Sequence, residues 1–181
     1  EREHSIYIYA TTDVHANYIR EISLSNVKSY VDLKRAEYGE KSVFLIDNGD
    51  HLQGTNAAYY FNFKDTTGGK HLFTRVMENI GYDAVVMGNH DIEAGHPVYD
   101  KVDAEMSIPY LAANAISEET GRPYFQEYAI IKKGGVKVAV IGFQNPNISQ
   151  WLAYSLWEGI KFVPTYPMAD SLVKVVRQRE N

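Results

Sequence analysis

Segments patterned as strands and segments patterned as helices alternate along this chain of 181 residues. Ser42–Ile46 and Ala84–Met87 are short runs with almost no polar alternation, which is typical of strands buried within a parallel sheet. Between them, apolar residues recur at helical spacing up to Ile80 and stop at Gly81, as expected of a helix that ends at a glycine. The alternation predicts an α/β fold with a largely parallel sheet flanked by helices.

Further elements are predicted on both sides of this unit. They are strands at Ser5–Thr11 and Tyr110–Ala113, helices ending at Gly39 and covering His96–Ser107 and Pro167–Arg177, and a hairpin of Tyr128–Lys132 with Val136–Ile141 around Gly134-Gly135. Ligands of parallel sheets bind beyond the carboxyl ends of the strands. We therefore expect functional residues in the loops that follow the strands.

Composition excludes several classes of function. Hydrophobic residues make up 45% of the chain and charged residues 23%, which is typical of a globular domain. The formal net charge of -5 argues against general binding of nucleic-acid duplexes, because affinity for phosphates needs a positive surface. No apolar run approaches the ~18–20 residues that span a bilayer. Cysteine is absent, which excludes disulfides, zinc fingers and thiol catalysis in this chain.

Polar clusters follow three of the predicted strands. They are Thr12–His15, Asp47–His51 and Gly88–Asp91. Asp13 and Asp50 lie 37 positions apart and Asp50 and Asn89 lie 39 apart, so each interval matches about one strand–helix–strand unit. Because unpaired charge is costly at a buried strand end, these side chains are expected to be paired or to bind a ligand.

The residue types of these clusters point to a metal site. Carboxylates and imidazoles without thiolates suit Mn²⁺, Fe or Zn²⁺. Asp50 follows a glycine, so its backbone can turn tightly and its carboxylate could bridge two ions. Asn89 would add an amide oxygen without further negative charge, which leaves room for an anionic substrate. Two metal ions ~3.5–4 Å apart can clamp the oxygens of a phosphoryl displacement.

The three clusters, read in order, resemble a known family. The segments TTDVH, DNGDHLQG and GNHD are similar to the motifs of the calcineurin-like metallophosphoesterases. The GDxxQG and GNHxxxxG forms resemble the 5′-nucleotidase and 2′,3′-cyclic-nucleotide phosphodiesterase branch, as do the later stretches GFQNPN and LWEGIKF. The resemblance implies a metallophosphoesterase-type α/β sandwich and hydrolysis of nucleotide phosphoesters, with a small-molecule nucleotide or phosphomonoester as substrate.

The resemblance also implies roles for single residues. Asp13 and His15 would bind the first of two divalent ions, Asp50 would bridge both, and Asn89 would bind the second and contact the phosphate. A hydroxide activated by the metal would attack phosphorus. His90 would not be a ligand but would contact the substrate and assist the leaving oxygen.

Small departures from the family pattern accompany these roles. A carboxylate three positions after the family's histidine often orients it, and Glu93 stands at that position here. Asp91 stands where glutamate is more common, and Ala16 where many relatives have glycine. None of these changes removes a ligand.

One departure concerns the end of the chain. The family completes its metal sites with histidines from the later part of the catalytic domain, whereas no histidine follows His96 here. We therefore expect residues 1–181 to be the N-terminal portion of a catalytic domain, incomplete at its C-terminus and lacking a substrate-binding domain. Such a fragment would be weakly active or inactive. The alternative is a non-catalytic module that binds metal or phosphate and holds one metal ion or none.

The branch also predicts a location, because its bacterial members are commonly exported. An extracytoplasmic protein is therefore expected, although no signal precedes Glu1 in this chain.

Simpler interpretations apply to other polar and aromatic residues. Asp, Asn and Gly favour turns for local reasons, so any one cluster alone could be a turn. His51 is expected to point away from the site and His96 to begin a helix, while His4 and His71 are expected to be solvated. The aromatic side chains of 59–63 are expected to pack in the core as a buried loop, with a pocket wall as the alternative. The segment 145–147 could approach the site or form a plain turn.

Overall fold

A four-stranded parallel sheet lies at the centre of the structure, a computed structural model that describes residues 5–65 and 68–180. The strands are β1 (Tyr7–Thr11), β2 (Val43–Asp47), β3 (Ala84–Val86), β4 (Tyr110–Leu111), β5 (Ala115–Ser117), β6 (Tyr128–Lys133), β7 (Val136–Ile141) and β8 (Ile160–Phe162). The helices are α1 (Leu24–Tyr38), α2 (Asn56–Phe63), α3 (Leu72–Ile80), α4 (Asn89–Ile92), α5 (His96–Glu105), α6 (Ile148–Trp151) and α7 (Thr165–Glu180). Two single 3₁₀ turns cover Glu40–Ser42 and Tyr154–Leu156.

Alternate residues of the central strands face two different cores. The sheet has the order β1-β2-β3-β4, and all of its pairings are parallel. Leu45 and Val85 point to a larger core built with helices α1, α3 and α5. Val86 and Leu111 belong to a smaller core formed with the β6–β7 hairpin. Because both faces of these strands are covered, the side chains on both faces are apolar. This explains the nearly continuous apolar runs in the sequence. The predicted α/β fold with a parallel sheet is confirmed.

Two predictions of local structure are wrong. The aromatic segment at 59–63 is not a buried loop, because it belongs to helix α2, which begins after Thr55. The rings of Tyr59, Tyr60 and Phe63 are about half exposed. The segment reads as apolar, but its helix lies at the surface and buries Ala58 and Asn62 instead.

His71 is buried rather than solvated. It is the N-cap residue of helix α3, and its side-chain Nδ1 accepts the Phe73 N–H at 3.2 Å. On the other side of the ring, Nε2 donates to Oδ1 of the buried Asn62 at 3.1 Å. Both ring nitrogens are therefore satisfied by a neutral imidazole. Helix α3 ends as predicted at Gly81, which adopts the left-handed conformation with φ 79°.

His4 lies outside the described residues. Within the described ranges, the helices are too short or too polar to cross a membrane.

Candidate metal centre

The three predicted clusters meet at the carboxyl edge of the sheet, because β1, β2 and β3 are neighbours. The loops beyond these strands are joined by backbone hydrogen bonds. The Asp13 N–H donates to the Gly49 carbonyl at 3.0 Å, and the His15 N–H donates to the Asp50 carbonyl at 2.9 Å. The sequence interval of one strand–helix–strand unit thus brings Asp13, His15 and Asp50 into one place.

Three residues of the site have left-handed backbone conformations. Their φ angles are 53° at Asp13, 49° at His15 and 65° at Asp50. This conformation costs a residue with a side chain roughly 1–2 kcal/mol. Strain of this kind is found where surrounding structure holds a functional group in place.

Two glycines allow the loops after β2 and β3 to touch. A Cβ atom on Gly49 would lie 2.4 Å from the backbone nitrogen of Gly88. A Cβ atom on Gly88 would lie 2.1 Å from Oδ1 of Asp50. Neither position has room for a side chain, so the glycines of both motifs are required by close approach of the backbone.

His15, Asp50 and His90 each offer one ligand atom, and these atoms lie within 4.8 Å of one another. Nδ1 of His15 is buried and has no hydrogen-bond partner among the described residues. Two imidazoles and a carboxylate are a donor set that Zn²⁺, Mn²⁺ or Fe accepts. The residues therefore fit a divalent cation. The group includes His90, to which the resemblance gives no ligand role, and it leaves out Asp13, whose side chain is exposed beside it.

The electrostatic environment of Asp50 supports the same conclusion. Burial raises the pKa of its carboxyl group, and the nearby carboxylates of Asp91 and Asp13 raise it further. The backbone N–H of His90, which donates to Oδ1 at 2.8 Å, acts in the opposite direction. A partly desolvated carboxylate among other carboxylates is stabilised by a cation in contact with it.

His90 is held by Glu93, as the resemblance implies. Nδ1 of His90 donates to Oε2 of Glu93 at 2.6 Å. This hydrogen bond is the main reason that the pKa of His90 is raised above its ordinary value. The ring of His90 packs edge-on against the ring of His15, with centroids 5.1 Å apart. The hydrogen bond to Glu93 thus orients the His90 imidazole beside the candidate metal ligands and favours its protonated form.

A cavity of about 360 Å³ opens beside Asp50. Asp13, Asp50 and Asn89 line one wall. The segment 143–146 lines another wall, so the approach of this stretch to the site, which the sequence left open, is observed. The cavity is large enough to admit a small polar molecule.

Asp91 is a residue whose importance the sequence did not reveal. Its side chain is fully buried below the loops, although it follows His90 directly. Four backbone N–H groups donate to its two oxygens. Its one sequence signal is its place as the last residue of the polar cluster that follows a predicted buried strand.

Two histidines lie outside the candidate centre, as predicted. His51 is fully buried, and its Nε2 donates to Oδ1 of Asp47 at 2.6 Å. His96 begins helix α5 and contacts Asp100 and the Glu158 carbonyl.

Comparison with known proteins places this geometry in a class. No protein-family model matches the chain. The calcineurin-like phosphoesterase YfkN from Bacillus subtilis superposes with a TM-score of 0.79 at 24% identity, covering 95% of this chain and 58% of that one. A 5′-nucleotidase precursor from Thermus thermophilus superposes with a TM-score of 0.75 at 21% identity, covering 96% of this chain and 34% of that one. The chain therefore has the calcineurin-like phosphoesterase fold.

Two of the chain's sequence relatives are named as nucleotide hydrolases. A 5′-nucleotidase from Vibrio parahaemolyticus is 30% identical over 184 residues, which are 98% of this chain and 32% of the relative. A 2′,3′-cyclic-nucleotide 2′-phosphodiesterase/3′-nucleotidase from Yersinia enterocolitica is 29% identical over 164 residues, which are 80% of this chain and 25% of the relative. The chain thus spans about a third or less of the length of these curated relatives. Its relationship to the 5′-nucleotidases and cyclic-nucleotide phosphodiesterases confirms the resemblance of the motifs.

Proposed function

We propose that this chain carries the metal-binding part of a hydrolase that acts on phosphoesters of nucleotides. The observation that carries the proposal is the group of His15, Asp50 and His90, of which Asp50 also lines an open cavity. Relatives named as 5′-nucleotidases and as cyclic-nucleotide phosphodiesterases support the nucleotide as substrate. An extracytoplasmic location stays a prediction.

The proposed ligands are those of the motifs. Asp13 and His15 would hold one divalent ion, Asp50 would bridge, and Asn89 would hold a second. Mn²⁺, Zn²⁺ or Fe, when bound, would supply Lewis-acid polarisation to the phosphoryl group.

The chain's own residues bind and protonate the substrate in this proposal. Asn89 contacts the phosphate, and the polar cavity wall at 144–145 faces the rest of the molecule. His90 donates a proton to the leaving oxygen, and Glu93 orients the imidazole and favours its protonated form through the hydrogen bond at Nδ1. A proton donor placed in this way contributes about 10²–10⁴-fold to a rate.

A second candidate is a module that binds metal or phosphate without catalysis. The observation that favours it is that no histidine follows His96 among residues 1–181, so these residues offer no later imidazole to a second metal ion. Under this candidate the chain would hold one metal ion or none.

Titration calorimetry with Mn²⁺ tests the proposal. The variant Asp50→Asn removes the bridging carboxylate, and Asp170→Asn is the matched control because Asp170 is an exposed residue of α7. We expect the wild type and the control to bind Mn²⁺ alike and Asp50→Asn to bind at least tenfold more weakly. Absence of Mn²⁺ binding by all three proteins would favour the second candidate, a non-catalytic module that holds no metal ion. Phosphate release from a nucleoside monophosphate and from a 2′,3′-cyclic nucleotide, measured with the same proteins, then tests hydrolysis.

A further inference from the structure

The Asp91 carboxylate joins two loops of the candidate centre from below. Oδ1 accepts the backbone N–H groups of His51 at 2.7 Å and Leu52 at 2.8 Å. Oδ2 accepts those of Asp50 at 3.0 Å and Gly88 at 2.8 Å. Three donors come from the loop after β2 and one from the loop after β3. A single side chain thus fixes both loops relative to each other.

The geometry requires a carboxylate at this position. Each oxygen receives two N–H donors, and a carboxylate is the side-chain group that offers two acceptor oxygens and no donor. An asparagine amide would turn its NH₂ group toward two of the four N–H donors in either orientation. Asp91 is fully buried, so water could not replace the lost hydrogen bonds at once.

The anchored segment includes the strained residue of the site. Asp50 has a φ of 65°, and its own carboxylate points to the candidate metal position. The left-handed conformation is opposed by local sterics and is held by contacts around it. The hydrogen bond from the Asp50 N–H to Asp91 acts on the peptide unit that this φ angle orients.

We propose that Asp91 is a positioning residue for metal binding, because its carboxylate fixes the backbone that directs the Asp50 side chain toward the cation. The proposal rests on the function proposed above. Asp91 touches neither substrate nor metal in it and acts through Asp50. Groups that orient a metal ligand change metal affinity by about 10–100-fold when they are removed.

Two variants of Asp91 separate this role from bulk stability. Asp91→Asn keeps the volume and removes two of the four acceptor contacts, whereas Asp91→Glu keeps both acceptor oxygens. The control Val102→Ala removes no hydrogen-bond acceptor. It lowers stability by leaving a cavity in the core against which helix α5 packs, where Val102 is fully buried. Mn²⁺ affinity is measured by calorimetry for all four proteins under conditions in which each is folded.

We expect Asp91→Asn to bind Mn²⁺ about 10–100-fold more weakly than the wild type. Asp91→Glu should recover most of the affinity, and Val102→Ala should bind within twofold of the wild type. Equal affinity of Asp91→Asn and the wild type would overturn the positioning role and leave the proposed function intact. Absence of Mn²⁺ binding by the wild type would overturn both.

A measurement on the wild type alone covers the case in which Asp91→Asn does not fold. Linkage is reciprocal, so an anchor that strengthens metal binding must itself be strengthened by the metal. Mn²⁺ at ten times its dissociation constant should slow hydrogen exchange of the Asp50, His51 and Leu52 amides about tenfold. Unchanged exchange of these amides at saturating metal would overturn the proposal.

Discussion

At the scale of single residues, Asp50 is where the constraints on the candidate centre converge. Its backbone is left-handed, its N–H is bonded to Asp91, and its carboxylate accepts the N–H of His90. The carboxyl group is buried beside other carboxylates, which raises its pKa and favours a bound cation. His90 lies against it and is held in turn by Glu93. The proposed ligand Asp50 and the proposed proton donor His90 are therefore positioned by the same few hydrogen bonds.

His90 provides the first prediction, because its role as proton donor and a role as ligand have different consequences. In an active form of the protein, His90→Asn should lower kcat for a nucleotide by about 10²–10⁴-fold, while Mn²⁺ content measured by atomic emission stays at the wild-type level. The control His96→Asn, in helix α5, should change neither quantity. Loss of Mn²⁺ from His90→Asn would show that His90 is a ligand.

His71 provides the second prediction, on stability against pH. Burial lowers the pKa of the folded imidazole from 6.5 to about 4, with Lys101 contributing. Between these pH values the unfolded chain binds more protons than the folded one. The free energy of unfolding therefore has its full value above about pH 6.5 and falls as pH drops toward 4. The loss attributable to His71 is about 3 kcal/mol at most.

Urea unfolding at several pH values checks this expectation. His71→Asn is the matched variant, because an asparagine can still cap helix α3 but does not titrate. The difference in unfolding free energy between the two proteins should shrink as pH falls from 6.5 to 4. A constant difference would mean that His71 does not titrate between these pH values.

At the scale of elements, the carboxyl ends of β2 and β3 are in direct backbone contact. The loop after β2 and the start of α4 approach so closely that Gly49 and Gly88 have no room for a Cβ atom. Asp91 lies on α4, and its carboxylate ties that helix to the loop after β2. Helix α4 and the two strand ends form one packed unit. Asp50 and Asn89, which carry proposed metal-donor atoms, extend from this unit to line the cavity.

Gly88→Ala tests this contact. The added Cβ would meet Oδ1 of Asp50, so the variant should lose about 1–3 kcal/mol of stability and bind Mn²⁺ at least tenfold more weakly. Gly121→Ala is the control, because its φ of 65° strains an alanine but nothing lies within 4 Å of the new atom. Calorimetry and urea unfolding should show loss of stability in both variants and loss of metal affinity in Gly88→Ala alone. Equal metal affinity in the two variants would contradict the contact.

At the scale of the whole molecule, the sheet separates two cores of unequal size. The helices cover one face with the larger core, and the β6–β7 hairpin covers the other with the smaller core, which includes Leu111. Lys133 of the hairpin bonds to Asp83 and to the Val43 carbonyl, so the hairpin is tied to the loop before β3 and to β2. The candidate centre lies at the edge where both layers end.

Leu111→Ala tests the importance of the smaller core. Leu111 is fully buried, so the variant should lose about 2–5 kcal/mol of stability through lost contacts and a cavity. Leu33→Ala is the matched control, because Leu33 is 68% exposed and should change stability by no more than about 0.5 kcal/mol. If urea unfolding shows that Leu111→Ala loses as little unfolding free energy as Leu33→Ala, the core under the hairpin adds little to the stability of the fold.

Short-range patterns made much of this architecture predictable. Apolar runs and glycine stops depend on neighbouring residues, so β2, β3, α3 and the hairpin were found near their observed limits. The meeting of Asp13, His15 and Asp50 followed from parallel topology alone. The ligand roles given by the resemblance stay predictions.

What could not be predicted depends on contacts between distant parts of the chain. His71 can be buried because its Nε2 donates a hydrogen bond to Asn62 of another helix. Helix α2 exposes aromatic rings that the sequence analysis expects in a core. Asp91 reaches backbone groups about 40 positions earlier in the chain, and no local pattern records such a contact.

The central claim is that the edge beyond β1, β2 and β3 binds a divalent metal ion through His15 and Asp50. Crystals grown with Mn²⁺ and measured at the manganese absorption edge test it most directly. We expect an anomalous difference peak within ~2.0–2.4 Å of a donor atom of His15 and of Asp50. A peak bound elsewhere on the chain, or none at saturating Mn²⁺, would contradict the claim.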